Sequence, residues 1–201
     1  MPIYDSEIFQ LSKSGSTKTQ PENTPHKRAH TRVFVICVLL VMIAGGLALD
    51  QLTKAYFDTQ QPGVILGGPY AGLIQFTLVH NTGMAWGLFG NSTFVLGIMS
   101  TIVCAAFLIF GCIAGPKLNW AEIIGLGLVV AGGIGNAIDR FTLGYVVDFI
   151  QTAFMNFPVF NVADIGVTCG FVLFIIGLFV HSAKSSSAEA NPSHVDPSGD
   201  E

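Results

Sequence analysis

The chain has 201 residues, of which 51% are hydrophobic and only 11% are charged. A soluble domain carries about a quarter charged residues, so there are too few charges here to coat a water-soluble globule, and the bilayer is the expected solvent. Much of the acid lies in polar tails, and the formal net charge of −4 gives no sign of a nucleic-acid partner; at this length one domain is expected.

Residues 1–31 are polar, rich in Ser, Thr and Lys, and broken by Pro21 and Pro25. They read as a disordered tail. Lys27, Arg28 and Arg32 then precede an uncharged run, Val33 to Leu49, which ends at Asp50. A signal peptide would begin this way, but its apolar core is about 7–15 residues and ends in a small-residue cleavage site. This run is longer, lacks a clear A-x-A site and continues through Asp50, Gln51 and Lys54, so a retained span over about 33–54 is expected.

Residues 58–91 are too many for a simple turn. They contain Val64-Ile65-Leu66 and Leu73 to Val79; the second carries β-branched and aromatic residues with partial alternation, the mark of a strand, and Gly67-Gly68-Pro69 would turn the chain between the two. A small sheet on the outer membrane surface is expected. The second span, 93–114, is long enough for a hydrocarbon core of about 30 Å and is closed by Gly115-Pro116. The third covers 120–139, and its glycines (Gly125, Gly127, Gly132, Gly133, Gly135) admit close approach of another helix. An outer segment, 142–162, carries Pro158 and the aromatics Phe149, Phe154, Phe157 and Phe160, suited to the interfacial zone. The fourth span covers 163–181, which bounds a membrane domain at 32–182, and residues 183–201 form a second polar tail expected to be disordered.

Lysines and arginines set the topology. Lys27, Arg28, Arg32, Lys117 and Lys184 fall on one side of a four-span chain. That side should be cytoplasmic and hold both termini. Cys37, Cys104, Cys112 and Cys169 lie in apolar runs without CxxC spacing, so they read as packing residues rather than a disulfide framework or zinc site.

On this topology the polar residues of the apolar regions converge on the outer rim. Asp50 ends the first span and Asn81 precedes the second. Asn136, Asp139 and Arg140 end the third, Asp148 lies in the connection, and Asn161 and Asp164 open the fourth; Glu122 alone lies elsewhere. Ionisable groups at membrane depth are costly and mark function. Two carboxylates in one site cannot both ionise cheaply, and together they supply a general acid and a general base for activating a water. The residues leave three readings open: Asp148 with Asp164, a pair that includes Asp139, or structural roles for all three. In the structural reading Asp164 caps a helix, Asp50 pairs with Lys54 four residues on, and Asp139 pairs with Arg140. No HExxH motif exists, Ser92 and Ser100 have no Lys or His partner at plausible depth, and Gly132-Gly133-x-Gly135 lacks the strand a phosphate loop requires.

Five stretches in order carry a resemblance: Asp50-Gln51-Leu52-Thr53-Lys54; Asn81-Thr82-Gly83-Met84-Ala85-Trp86-Gly87; Gly132 to Arg140 with Asn136 and Asp139; Val146-Val147-Asp148-Phe149; and Phe160-Asn161-Val162-Ala163-Asp164. Over about Val33 to His181 the chain resembles the bacterial lipoprotein signal peptidases (signal peptidase II). Met84, where Ala is common in that family, and the long tails are departures. The resemblance implies a mainly α membrane fold: four transmembrane helices, an extracytoplasmic β-cradle and a short interfacial helix between helices 1 and 2. It implies an aspartic endopeptidase of the bacterial cell membrane that cuts before the lipid-modified cysteine of diacylglyceryl prolipoproteins, with its site at the outer face. Asp148 and Asp164 become the catalytic pair. Asn136, Asp139 and Arg140 support the site, Asn81 and Asn161 bond substrate backbone, Asp50 and Lys54 brace helix 1 against the cradle, and Gly83 and Ala163 belong to the same supporting set. Globomycin-type inhibitors should occupy the pair; no cofactor or metal is implied, and a monomer is expected. Phe149, Phe154 and Trp86 are candidates to receive acyl chains. Competing classes are a cation channel or transporter, which needs acids along a path through the bilayer, and a non-enzymatic four-span scaffold.

Overall fold

The computed structural model describes residues 31–83 and 92–189, with side chains described as far as Ala183. The elements in order are α1 (Arg32–Phe57), β1 (Ile65–Tyr70), β2 (Ile74–Asn81), α2 (Thr93–Ala114), α3 (Trp120–Thr142), β3 (Val146–Thr152) and α4 (Val162–Glu189). All four helices are long and apolar enough to cross a membrane. α3 is the central one: most of its span is buried in protein, whereas α1, α2 and α4 leave most of theirs to the surroundings. Those open faces carry side chains such as Val33, Phe94, Ile102 and Phe179, all more than 60% exposed. Apolar faces this extensive require lipid rather than water.

Three helices outrun their expected bounds, α3 reaching Thr142 rather than 139. α1 continues past Lys54, itself only 3% exposed, to Phe57, and the N–H of its C-cap residue Asp58 donates to Lys54 O. α4 runs to Glu189 instead of stopping near 181, since Ala183, Lys184, Ala188 and Glu189 include strong helix formers that propagate an existing helix. α3 begins with a capping box, in which the Asn119 side chain accepts from Glu122 N and Glu122 accepts from Asn119 N. This explains Glu122, the acid at the end of the bundle away from the sheet: it satisfies orphan helix donors. It also meets His181 of α4, 3.6 Å from Nδ1.

α3 and α4 pack backbone to backbone. A Cβ on Gly125 would stand 2.6 Å from the Gly170 carbonyl oxygen, and one on Gly170 would stand 2.7 Å from that of Gly125. Only paired glycines permit this approach. One apolar core, at the end of the bundle opposite the sheet, joins Val35, Leu39, Leu118, Ile123 and Leu126. A second lies under the sheet around Leu78, Val147 and Phe149.

The three strands form an antiparallel sheet in the order β1-β2-β3. Two sequence expectations change here. The hairpin turn falls at Ala71-Gly72, not at Gly67-Gly68-Pro69, which lies within β1. Ala71 and Gly72 have φ of 51° and 70°, and Leu73 N donates to Tyr70 O at 2.9 Å. Two successive positive φ values are what a tight hairpin turn requires. Residues 142–162 are more than a connection, since they contribute β3 with Asp148 in it. Among the described residues between α1 and α2 there are two strands and no helix. Residues 84–91, with Met84 and Trp86, and both polar tails (1–30 and 190–201) lie outside the described residues.

Candidate active site

The sequence-predicted residues meet where the sheet rests on the sheet-side ends of α1, α3 and α4. Asp148 is the third residue of β3 and only 2% exposed. Asn161 Nδ2 donates to its Oδ1 at 2.7 Å and Asn81 Nδ2 to its Oδ2 at 2.9 Å. Asp164 lies in the first turn of α4. Asn161 N donates to Asp164 Oδ2 and Asp164 N to Asn161 Oδ1, each at 3.0 Å. This is a reciprocal capping arrangement, so Asn161 is the cap and Asp164 its partner three residues on. The other oxygen of Asp164 accepts from Asn136 Nδ2 at 2.8 Å.

Asn136 is the hub between the two acids. Its Oδ1 accepts from Lys54 Nζ at 2.8 Å and from Asn161 Nδ2 at 3.1 Å. Lys54 Nζ also lies 2.9 Å from Asp50 Oδ2 and 2.9 Å from Asp139 Oδ2. An ammonium has three N–H donors, and all three have partners, which lets a lysine reside at 3% exposure. A charge buried at this depth persists only when paired. One of the readings left open by the sequence paired Asp139 with Arg140. In the fold Asp139 turns instead to Lys54, and its Oδ2 also accepts from Val147 N at 3.2 Å, next to Asp148.

Asp50 and Lys54 brace the outer ends of α3 and α4 rather than the cradle. Asp50 Oδ1 accepts from Ala163 N at 3.0 Å. Its carboxylate fits because residue 135 is glycine, where a Cβ would collide with Asp50 Oδ2. Gln51 was not singled out by sequence reasoning, yet its Nε2 donates to Asp139 Oδ1 at 3.0 Å and to Asp50 Oδ2 at 3.2 Å. Its position in the first motif was the available signal. Gly83 N donates to Asn81 Oδ1 at 3.0 Å, which aims the Asn81 amide nitrogen at Asp148.

Asp148 and Asp164 face one cavity of about 460 Å3, also lined by Asn81, Asn136, Arg140 and Phe157. A second cavity, about 350 Å3, continues between α2, α3 and α4 past Arg140 and Asp164, along Leu96, Met99 and Val103. Arg140 Nη1 donates to Asn136 O at 3.2 Å. Its Nε is the one buried side-chain nitrogen or oxygen without a hydrogen-bond partner among the described residues. Phe149, an expected acyl-chain contact, instead packs inside the sheet core at 2% exposure, stacked on Phe57 with centroids 4.1 Å apart. Phe154 remains 64% exposed. Among the described residues no group of three or more His, Cys, Asp and Glu is placed to hold a metal ion.

Burial first, and the charge of Asp164 second, push the Asp148 carboxyl up to about 7; the donors on Asn81 and Asn161 and the charge of Lys54 pull it down. Two carboxyls in one cavity, one titrating near neutrality, can share a proton, so that a water held between them meets a base and a bound carbonyl meets an acid. The titration belongs to the pair.

Similarity to known proteins identifies the family of the chain. A family model described as signal peptidase (SPase) II matches residues 31–180. A lipoprotein signal peptidase of Microcystis aeruginosa is 39% identical over 142 residues, covering 69% of this chain and 90% of that protein. One from Enterococcus faecalis is 39% identical over 153 residues, covering 73% and 91%. A bacterial membrane enzyme solved by the in meso method at 2.3 Å resolution superposes with a TM-score of 0.68 at 29% identity, covering 74% of this chain and 92% of that one.

Proposed function

The chain belongs to the signal peptidase II family and is a multi-pass bacterial membrane protease of lipoprotein processing; from that premise we propose that it is an aspartic endopeptidase using Asp148 and Asp164. It removes signal peptides from diacylglyceryl-modified prolipoproteins, cutting before the lipidated cysteine. The observation that carries this reading is the meeting of two buried carboxyls at one cavity, each fixed by asparagine amides and, among the described residues, neither in a salt bridge. Lys54, whose charge would otherwise quench the pair, is engaged by Asp50, Asp139 and Asn136.

The chemistry then runs in one direction. The ionised member of the pair takes a proton from the water, the water oxygen attacks the scissile carbonyl carbon, and the protonated member stabilises the developing oxyanion; the proton taken from the water then passes to the amide nitrogen as the C–N bond breaks and the carbonyl re-forms as the new carboxyl group. Arg140 lines the cavity, where its guanidinium is placed to meet a substrate carbonyl. The substrate is itself lipid-anchored and enters laterally between α2 and α4, along the apolar second cavity. Both termini lie in the cytoplasm and the site faces outward, as the distribution of Lys and Arg supports.

The reading is tested by incubating the purified full-length chain with a precursor peptide, with and without a diacylglyceryl group on its cysteine. Cleavage before the cysteine in the lipidated peptide alone, blocked by a globomycin-type cyclic peptide, is the expected result. Equal cleavage of the unmodified peptide, or cleavage elsewhere, contradicts it.

A further inference from the structure

Outside the catalytic cavity, a second polar cluster joins three elements on the outer rim. Asp58, the C-cap residue of α1, lies 2.9 Å from His80 Nε2 through its Oδ1. The Tyr145 hydroxyl donates to the same carboxylate, 3.3 Å from Oδ1 and 3.4 Å from Oδ2. The His80 ring stacks on Tyr145 with centroids 4.0 Å apart and planes 24° apart. None of these residues lines the 460 Å3 cavity. Each, however, adjoins the site in sequence. His80 immediately precedes Asn81, Tyr145 stands three residues before Asp148, and Asp58 follows Lys54 by one helical turn.

The sheet register explains why such a clasp is needed. β2 and β3 pair as Ile74↔Thr152, Gln75↔Gln151 and Phe76↔Ile150, and then the register shifts before Val79↔Asp148, His80↔Val147 and Asn81↔Val146. Thr77 and Leu78 therefore oppose the single Phe149, a two-against-one bulge. Beyond the bulge only a short piece of ladder remains, and it holds both Asp148 and its donor Asn81. A ladder this short is not independently stable in water. Side chains alternate across a strand, so while Asn81 faces Asp148, His80 faces away from it and is free for Asp58.

We infer that Asp58, His80 and Tyr145 form a positioning clasp that holds the post-bulge end of β2 against β3, and so keeps Asn81 Nδ2 on Asp148. The inference rests on the proposed Asp148–Asp164 pair. None of the three touches the reacting atoms. The clasp acts through Asn81, one of two amides that favour the ionised form of Asp148. The groups facing Asp148 from other elements, Lys54 of α1, Asn161 and Asp164 at the head of α4, and Arg140 of α3, are unaffected by its release.

Asp58→Ala, Asp58→Asn, His80→Phe and Tyr145→Phe are compared with wild type and Asp148→Asn in purified full-length protein on a diacylglyceryl-modified peptide. His80→Phe keeps the stacked ring and loses the hydrogen bond. Asp58→Asn keeps an acceptor for both partners. The expected result is a fall in kcat of about tenfold or more for Asp58→Ala and His80→Phe, with KM within about twofold, since the loss is of transition-state stabilisation. The high-pH limb of the profile should move up by about half a unit or more, because Asp148 has lost a donor to its charged form. Asp58→Asn should restore both, and the Asp58→Ala/His80→Phe double variant should be no worse than either single one. Wild-type kcat and pH limb in both Asp58→Ala and His80→Phe would overturn the clasp, as would additive losses in the double variant. If Asp58→Ala does not fold, His80→Phe and Tyr145→Phe decide the matter alone. Full turnover by Asp148→Asn would instead overturn the underlying pair, so the two failures are distinguishable.

Discussion

Lys54 shows how a single residue can be both costly and indispensable. Its ammonium is buried with two carboxylates and an amide oxygen around it. Replacing it with Met keeps the volume but strands Asp50 and Asp139 without a counter-charge. Breaking a buried ion pair from one side costs about 3–5 kcal/mol, so Lys54→Met is expected to lower the thermal midpoint in detergent by many degrees. An unchanged midpoint would mean that the buried network is not fully charged. Asp148 makes the opposite trade. Its folded carboxyl titrates at about 7, whereas an unfolded aspartate titrates near 3.9. The folded state therefore holds a proton that the unfolded state has lost between about pH 4 and 7. Stability falls as pH rises through that window and is lowest above it, by on the order of 4 kcal/mol at 1.36 kcal/mol per pH unit. Midpoints measured from pH 4 to 8 should decline in wild type, and the decline should flatten in Asp148→Asn. Equal slopes would place the titration elsewhere.

At the scale of elements, the site depends on how closely α3 and α4 approach. Gly125 and Gly170 face each other's carbonyl oxygens, and farther out the same two helices bring Asn136 to Asp164. Gly170→Ala should cost about 1–3 kcal/mol by overpacking and reduce turnover as well, because α4 carries Asp164 at its head. A normal thermal midpoint with normal turnover would show that the interface can yield without moving the site. The strands were less legible than the helices. Four apolar runs announce spans by length alone, but Val146-Val147-Asp148-Phe149-Ile150 reads as strand only if an acid is accepted within it. Its sequence has the β-branched and aromatic content of a strand, and the interruption by Asp148 hid it. The hairpin turn was misplaced for a related reason. Gly67-Gly68-Pro69 is the stronger local turn signal, while the bend at Ala71-Gly72 uses a non-glycine residue at positive φ.

For the molecule as a whole, the gathering of asparagines and acids at one rim was legible from spans and charge placement. Their pairing was not. Asp139 and Arg140 are sequence neighbours, which suggested an ion pair, yet helical geometry sends them apart, one to Lys54 and the other to the cavity. Partner choice across 85 residues, as between Lys54 and Asp139, is a property of the packed bundle and leaves no local trace. The proposed orientation rests on the distribution of Lys and Arg. A reporter that is active only in the cytoplasm, fused after Glu201, should be active, whereas the same reporter inserted in the outer segment between β1 and β2 should be silent. The reverse pattern would invert the topology and put the site on the wrong face for a lipoprotein precursor. The central claim is that two aspartates together cut the peptide bond. It is tested most directly by single-turnover cleavage of a diacylglyceryl-modified precursor by purified wild-type, Asp148→Asn and Asp164→Asn proteins with matched thermal midpoints. The account predicts a fall of about a thousandfold or more in each variant, with no further loss in the double variant, since residues acting as a unit are not additive. Cleavage at or near the wild-type rate by either single variant would contradict it.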